Sequence, residues 1–349
     1  MAVICLGAER VMKPKLFVTN FNKNFTGVSA TAANVIRAQM GRYDLALVGR
    51  PLPGCPDPIT VRQARAASAR GAIWHVRRNT EMRAALWARD ILRLPIKIVF
   101  TSAAQRRHSA YPRWLISRMD AVIATTDKAA SFVPHVRAVV PHGVDTALFH
   151  PAPDRAKAWA ALGYGGKIGI ATIGRIRPEK GTDHFVNAMI DLLPDHPDTV
   201  ALVLGKATRD HRAFLASLKD RIKTAGLTDR ILFPGEIPAQ DLPAVMRGLS
   251  LVVQLPQYEG YGMVPLEAMA SAVPFVGYEA GYYRAFSAQG RAGVIVDTPS
   301  AAAMAAGQIL AGKVDAMGDI ARAHVSQNFS AKAEADGIDA VYQMIWAQG

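Results

Sequence analysis

Short apolar runs alternate with helix-length segments along the whole chain, and the alternation starts afresh past the middle. Residues 16–19, 44–48, 72–76, 96–100 and 121–124 read as buried strands. A second series follows at 168–173, 200–204, 230–233, 251–253 and 274–276. This alternation predicts parallel sheets with helices on both faces, since each parallel pair needs a crossover long enough to hold a helix. Between the series, residues 141–153 are dense in Pro and turn formers and read as an interdomain linker. The expected fold class is α/β: two Rossmann-like, doubly wound domains facing across a cleft. The first spans residues 1–150, the second 151–330, and an amphipathic segment fills 331–349. Such sheets bind ligands beyond the carboxyl ends of their strands, so the cleft is the expected site.

Composition bounds the setting. A chain of 349 residues has room for two cores. Half of it is hydrophobic, yet no run of about 18 apolar residues occurs, so no membrane-spanning helix is expected. The apolar stretch within residues 1–10 is too short and poorly flanked for a secretion signal. Residues 1–11 read as a dispensable extension before Met12. Two cysteines, Cys5 and Cys55, argue against a disulfide framework or a cysteine metal cluster and fit a reducing cytoplasm. Charge is the uneven feature. Residues 1–150 hold 22 Lys/Arg against 8 Asp/Glu, a net of +14, whereas residues 151–349 hold 19 against 20, a net of −1. That split points to a large anionic partner, nucleic acid or membrane, with a solvated basic surface as the plainer reading.

The densest chemistry lies at Gln257-Tyr258-Glu259-Gly260-Tyr261-Gly262-Met263-Val264-Pro265-Leu266-Glu267, where a strand gives way to a helix. Gly260 and Gly262 let the backbone approach a ligand, because neither presents a β-carbon. Pro265 suits the first turn of a helix, whose free N–H groups and dipole form a seat for phosphate. Glu259 precedes that seat and Glu267 follows it. The two carboxylates can accept hydroxyls on either side of a diphosphate, which is the plan of a nucleotide-sugar site.

The string resembles the Glu-x7-Glu motif of retaining glycosyltransferases of family 4, which have two facing α/β domains, the GT-B fold. The resemblance covers nearly the whole chain, most specifically residues 174–181 and 257–274. It implies that Glu259 binds hydroxyls of the donor sugar and Glu267 the ribose diol, with Gly260, Tyr261, Gly262, Met263 and Val264 lining the diphosphate. Gly174-Arg175 and Lys180-Gly181 match the family's basic pair after a strand, so Arg175 and Lys180 are expected to hold the diphosphate. Cations fixed there favour the transition state, because negative charge grows on the leaving phosphate. Gly205-Lys206 and Phe233-Pro234-Gly235-Glu236 resemble strand ends of the nucleotide pocket. Lys206 either reaches a phosphate or is a solvated lysine. Gly27 stands where the family has a glycine-rich loop near the donor, and His75 where a histidine contacts the sugar; for His75 a structural role is the alternative. The expected catalytic set is Glu259, Arg175, Lys180 and His75. Trp74, Arg77, Arg78, Arg106, Arg107, His108 and Arg113 are expected on the acceptor side. The segment 331–346 is expected to return to the first domain, and His142-Gly143-Val144-Asp145 to be a structural linker.

No Asp-x-Asp loop, metal-ligand spacing, nucleophile elbow or phosphate-loop lysine motif is present. No metal and no cofactor beyond the nucleotide sugar are expected. The segments 20–29 and 74–80 with the basic first half resemble lipopolysaccharide-core mannosyltransferases using GDP-mannose. That resemblance implies an anionic glycolipid acceptor and a cytoplasmic protein held peripherally at the inner face of the cytoplasmic membrane. A UDP-hexose donor stays open. A UDP-N-acetylglucosamine epimerase shares the architecture but fits the basic and acidic strings less well. Nucleic-acid binding lacks any recognised motif.

Overall fold

Strand polarity and burial explain the architecture of the computed structural model, which describes residues 15–347. The extension expected at residues 1–11 lies outside them. The first sheet contains β1 (Lys15–Asn20), β2 (Asp44–Gly49), β3 (Ala72–Val76), β4 (Ile96–Ser102), β5 (Ala121–Ala124) and β6 (Val136–Val139), in the order β2-β1-β3-β4-β5-β6. The second contains β7 (Ile168–Ile173), β8 (Thr199–Leu204), β9 (Ile231–Gly235), β10 (Leu251–Gln254), β11 (Phe275–Tyr278) and β12 (Gly293–Val296), in the order β12-β11-β10-β7-β8-β9. Neighbouring strands are parallel throughout.

Both faces of each sheet are covered, so its strands are apolar on both sides. In β1, Leu16 and Val18 join one core with Ile36, Leu47 and Ile73, while Phe17 joins the opposite core with Trp74, Ile98 and Met82. Successive strand side chains point to opposite faces, which produces this division. The helix Ala331–Ala347 packs Ile338, Val341, Tyr342 and Ile345 into the first of these cores. It is tied to the helix Gly27–Gln39 by Gln39, whose amide donates to Asp339 at 2.6 Å, and beside that helix by Arg42, which meets Asp336 and Asp339 at 2.6 and 2.8 Å.

The linker is fastened to the same helix. Glu334 accepts from the Gly143 backbone N–H at 2.8 Å and lies 2.7 Å from His142 Nδ1. Asp145 Oδ1 accepts from the N–H groups of Ala147 and Leu148, both at 3.1 Å, and its other oxygen meets Arg37 at 3.0 Å. Among the described residues, no helix is long and apolar enough to cross a membrane, and no group of three His, Cys, Asp or Glu could hold a metal ion.

Candidate active site

The signature loop leaves β10 and enters the helix Met263–Ala270, which begins two residues before Pro265. Gly262 caps this helix at φ 103°, and a β-carbon there would sit 2.1 Å from Tyr283 Cε1. Only glycine accepts both constraints without strain. Among the described residues no side chain caps the helix, so its first N–H groups face the loop with the positive end of the dipole.

Glu259 and Lys180 meet at the start of this loop. Their Oε2 and Nζ atoms are 2.6 Å apart, both side chains about three-quarters buried, and Glu259 Oε1 accepts from the Gly260 N–H at 3.0 Å. The chain thus brings a cation from the β7 side, 79 residues away, against the first carboxylate. Arg175, two residues beyond β7, is exposed and has no ion-pair partner among the described residues. Lys206 and Glu236 are exposed as well, and Lys219 lies over the half-buried Phe233 ring at 5.6 Å. The Gly205 N–H donates to the Gly235 carbonyl at 2.8 Å, joining the ends of β8 and β9 beside Gly174.

Glu267 is different in kind. It is 8% exposed, and no described residue donates a hydrogen bond to its carboxyl. Burial alone pushes its pKa up to about 7. A carboxylate held this way is an acceptor lacking donors, and a vicinal diol supplies two.

A cavity of about 510 Å³ separates the two halves beside Glu259. Gln105, Thr126 and Lys128 wall it from the first domain, and Tyr258, Glu259 and Tyr282 from the second. The walls touch where Gln105 Nε2 donates to the Gly281 carbonyl at 2.9 Å and Arg106 lies over Tyr258 at 5.5 Å. The contribution of residues 126–128 escaped sequence reasoning. Its signal was available: a polar Thr-Thr-Asp-Lys run directly at the carboxyl end of β5.

Several expectations require correction. His75 is fully buried; Nδ1 lies 2.5 Å from the Tyr342 hydroxyl and Nε2 2.7 Å from Thr101 Oγ1. With both ring nitrogens engaged inside the domain, it has none to offer a sugar. Burial first, then the charges of Arg77 and His142, hold it well below the ordinary histidine range. Trp74 likewise belongs to the core, edge-on to Phe17, rather than to the acceptor side. The Tyr261 side chain packs into the core of the second domain, and its hydroxyl donates to the His142 carbonyl at 2.7 Å, tying the signature loop to the linker.

The basic residues of the first domain also divide. Arg77 is buried, and Arg78 is spent on the loop before Gly27, donating to Asn20, Thr26 and Ser29 at 3.1 Å each. Arg106 and Arg107 are exposed. On the helix Ala110–Ile116, Leu115 is buried, whereas Trp114 is 52% exposed and stacks on Tyr111.

Two parallel α/β domains, joined by a linker and holding a cation–carboxylate pair at a helix start in their cleft, define the GT-B class. Residues 155–314 match the family described as glycosyl transferases group 1. The chain is 41% identical over 341 residues to lipopolysaccharide core biosynthesis mannosyltransferase LpcC of Rhizobium leguminosarum bv. viciae, covering 95% of this chain and 96% of that relative. It is 38% identical over 344 residues to the LpsB mannosyltransferase of the same description from Rhizobium meliloti (strain 1021), covering 95% and 97%. Anabaena HepE in complex with UDP shares the fold at a TM-score of 0.79 and 18% identity, over 95% of this chain and 100% of that one. The chain belongs to the group 1 glycosyltransferases and is a hexosyltransferase of GT-B architecture.

Proposed function

We propose that this enzyme moves mannose, with retention of configuration, from GDP-mannose to an anionic lipid-linked acceptor, the Kdo/lipid A inner core of lipopolysaccharide. The observation that carries the transferase chemistry is the contact of Lys180 with Glu259 beside the uncapped helix at Gly262. The near full-length likeness to two relatives named as lipopolysaccharide core mannosyltransferases supports the sugar and the acceptor.

In this reading, the bond from the sugar C1 to the diphosphate breaks as the acceptor oxygen forms a new bond on the same face. The acceptor proton passes to the departing phosphate oxygen. Lys180, Arg175 and the helix N–H groups stabilise the charge that grows there. Glu259 orients both Lys180 and the sugar hydroxyls, and Glu267 receives the ribose diol. These donors stand in for a metal ion at the diphosphate.

Incubation with labelled GDP- and UDP-hexoses, with and without Kdo–lipid A, tests the proposal. Mannose transfer is expected from GDP-mannose, only with the lipid present, and undiminished by chelator. Transfer from a UDP-hexose instead would reassign the donor. Epimerisation of UDP-N-acetylglucosamine without acceptor would reject transfer, and loss of activity on chelation would reveal a metal requirement.

The enzyme is further proposed to dock on anionic membrane through its first domain. Exposed Tyr111 and Trp114 stack on each other, the Arg118 guanidinium lies 5.5 Å from the Trp114 ring centroid, and exposed Arg107 precedes their helix in the chain. Each basic residue near an anionic surface contributes about 1 kcal/mol, falling off within a Debye length. In liposome flotation, anionic vesicles should carry the protein at low salt and release it at high salt. Equal binding to neutral vesicles would sink the electrostatic account.

A further inference from the structure

A second cavity, of about 520 Å³, opens in the first domain beyond the carboxyl ends of β1 and β2. Its wall includes Lys23 and Arg50, and among the described residues no carboxylate lines it. Neither cation has an ion-pair partner among the described residues, and both are exposed. Phe25, 47% exposed, stands in the same wall and offers an aromatic face. Asn22 and Asn24 add amides that both donate and accept, whereas the Asn20 amide is engaged by Arg50 and Arg78.

The cavity is built rather than incidental. The Arg50 N–H donates to the Asn20 carbonyl at 2.7 Å, and the Asn20 amide donates back to the Arg50 carbonyl at 3.3 Å. Gly49, at φ 111°, permits this approach; a β-carbon there would lie 2.6 Å from the Asn20 carbonyl oxygen. Arg78 pins the other wall through Asn20, Thr26 and Ser29, and its own charge is answered by Glu81 at 3.2 Å. The free positive charge in the wall is therefore that of Lys23 and Arg50. Two unneutralised cations in a concavity focus potential on an anion, and amides beside an aromatic face suit a hydroxylated ring.

The geometry points to a subsite for one acidic sugar unit of the acceptor, its carboxylate or phosphate held by Lys23 and Arg50 and its ring laid against Phe25. This deepens the proposed function and rests on its reading of an anionic saccharide acceptor. The shared chemistry is an anion on a sugar; a sugar acid and a sugar phosphate are its two sources.

The test titrates the full chain, without donor, with three probes: the methyl glycoside of Kdo, its carboxyl methyl ester, and glucosamine 4-phosphate. At least one anionic probe should bind about tenfold more tightly than the neutral ester, the size expected for a charge-assisted contact. The probe that does so identifies the source. Arg50→Gln and Lys23→Gln should each weaken that probe and leave the ester unchanged, whereas Phe25→Ala should weaken acid and ester alike. Equal binding of all three probes overturns the subsite. So does a loss of GDP affinity in Arg50→Gln and Lys23→Gln matching the loss for the anion, which would assign the cavity to the donor. Because the titration itself measures no turnover, a chain that transfers another sugar would still pass it. Conversely, mannose transfer to Kdo–lipid A with an unaltered acceptor KM in both cation variants would refute the subsite alone.

Discussion

Glu267→Gln should yield a protein that resists urea better than wild type at pH 8 yet binds nucleoside diphosphate at least about tenfold more weakly. Both effects follow from a buried carboxyl without protein donors, held at a pKa of about 7 by desolvation. The folded-state pKa lies above the ordinary glutamate value of 4.5, so the unfolded chain ionises first as pH rises. Ionisation therefore costs the folded state increasingly from pH 4.5 to 7, and the full penalty stands above pH 7. At 1.36 kcal/mol per pKa unit that penalty is on the order of 3 kcal/mol. Gln, of nearly the same shape, removes it. Stability of the two proteins should converge near pH 4 and separate by pH 8. Binding moves the other way. The ribose hydroxyls donate to the ionised carboxylate, and losing a hydrogen bond to a charged group costs roughly 1.5–3 kcal/mol. Calorimetry should show the loss for the bare diphosphate as well as the nucleotide sugar, with wild-type affinity rising as pH passes through 7. Unchanged affinity for both ligands would reject the ribose assignment, and a pH-independent stability difference would reject the buried charge.

Lys180→Ala should lower kcat by roughly 10²–10³-fold with a smaller rise in donor KM, the range found when one preorganised donor to a developing oxyanion is removed. Lys180 is preorganised by Glu259 at 2.6 Å, so little ordering remains to be done when the donor arrives. Arg175 is exposed and must be ordered by the donor itself. Arg175→Ala should again affect kcat more than KM, but less severely. Steady-state kinetics with varied donor separates the two parameters. Turnover near wild type in both variants would show that diphosphate charge is neutralised elsewhere.

Ten strands were legible as apolar runs in two series, because strands buried on both faces need apolar residues at successive positions. β6 and β12 were not. Both are four-residue edge strands with partly exposed side chains; Arg137 interrupts the first, and the second follows the polar 287–291 run. An edge strand buries less, and with only four residues it carries too weak a pattern; the longer edges β2 and β9 remained legible. The residues proposed for the donor side also stand together in the sequence: Glu259, Gly262 and Glu267 lie in one continuous string local to a strand–helix turn.

Local sequence thus determined the alternating α/β plan, the place of the linker, the uneven charge, and the carboxylates and glycines of the signature loop. Tertiary structure decided which side chains reach solvent. His75 is withdrawn from the cleft by Tyr342, 267 residues further along the chain, and Trp114 is turned out by the helix that buries Leu115. It also decided which charges come together: Lys180 meets Glu259 across 79 residues, and Lys23 and Arg50 share one wall only because β1 and β2 are neighbours. Strand and turn signals arise from each residue's own backbone and its nearest neighbours. Burial and charge pairing depend on distant segments that come together only once both sheets have formed.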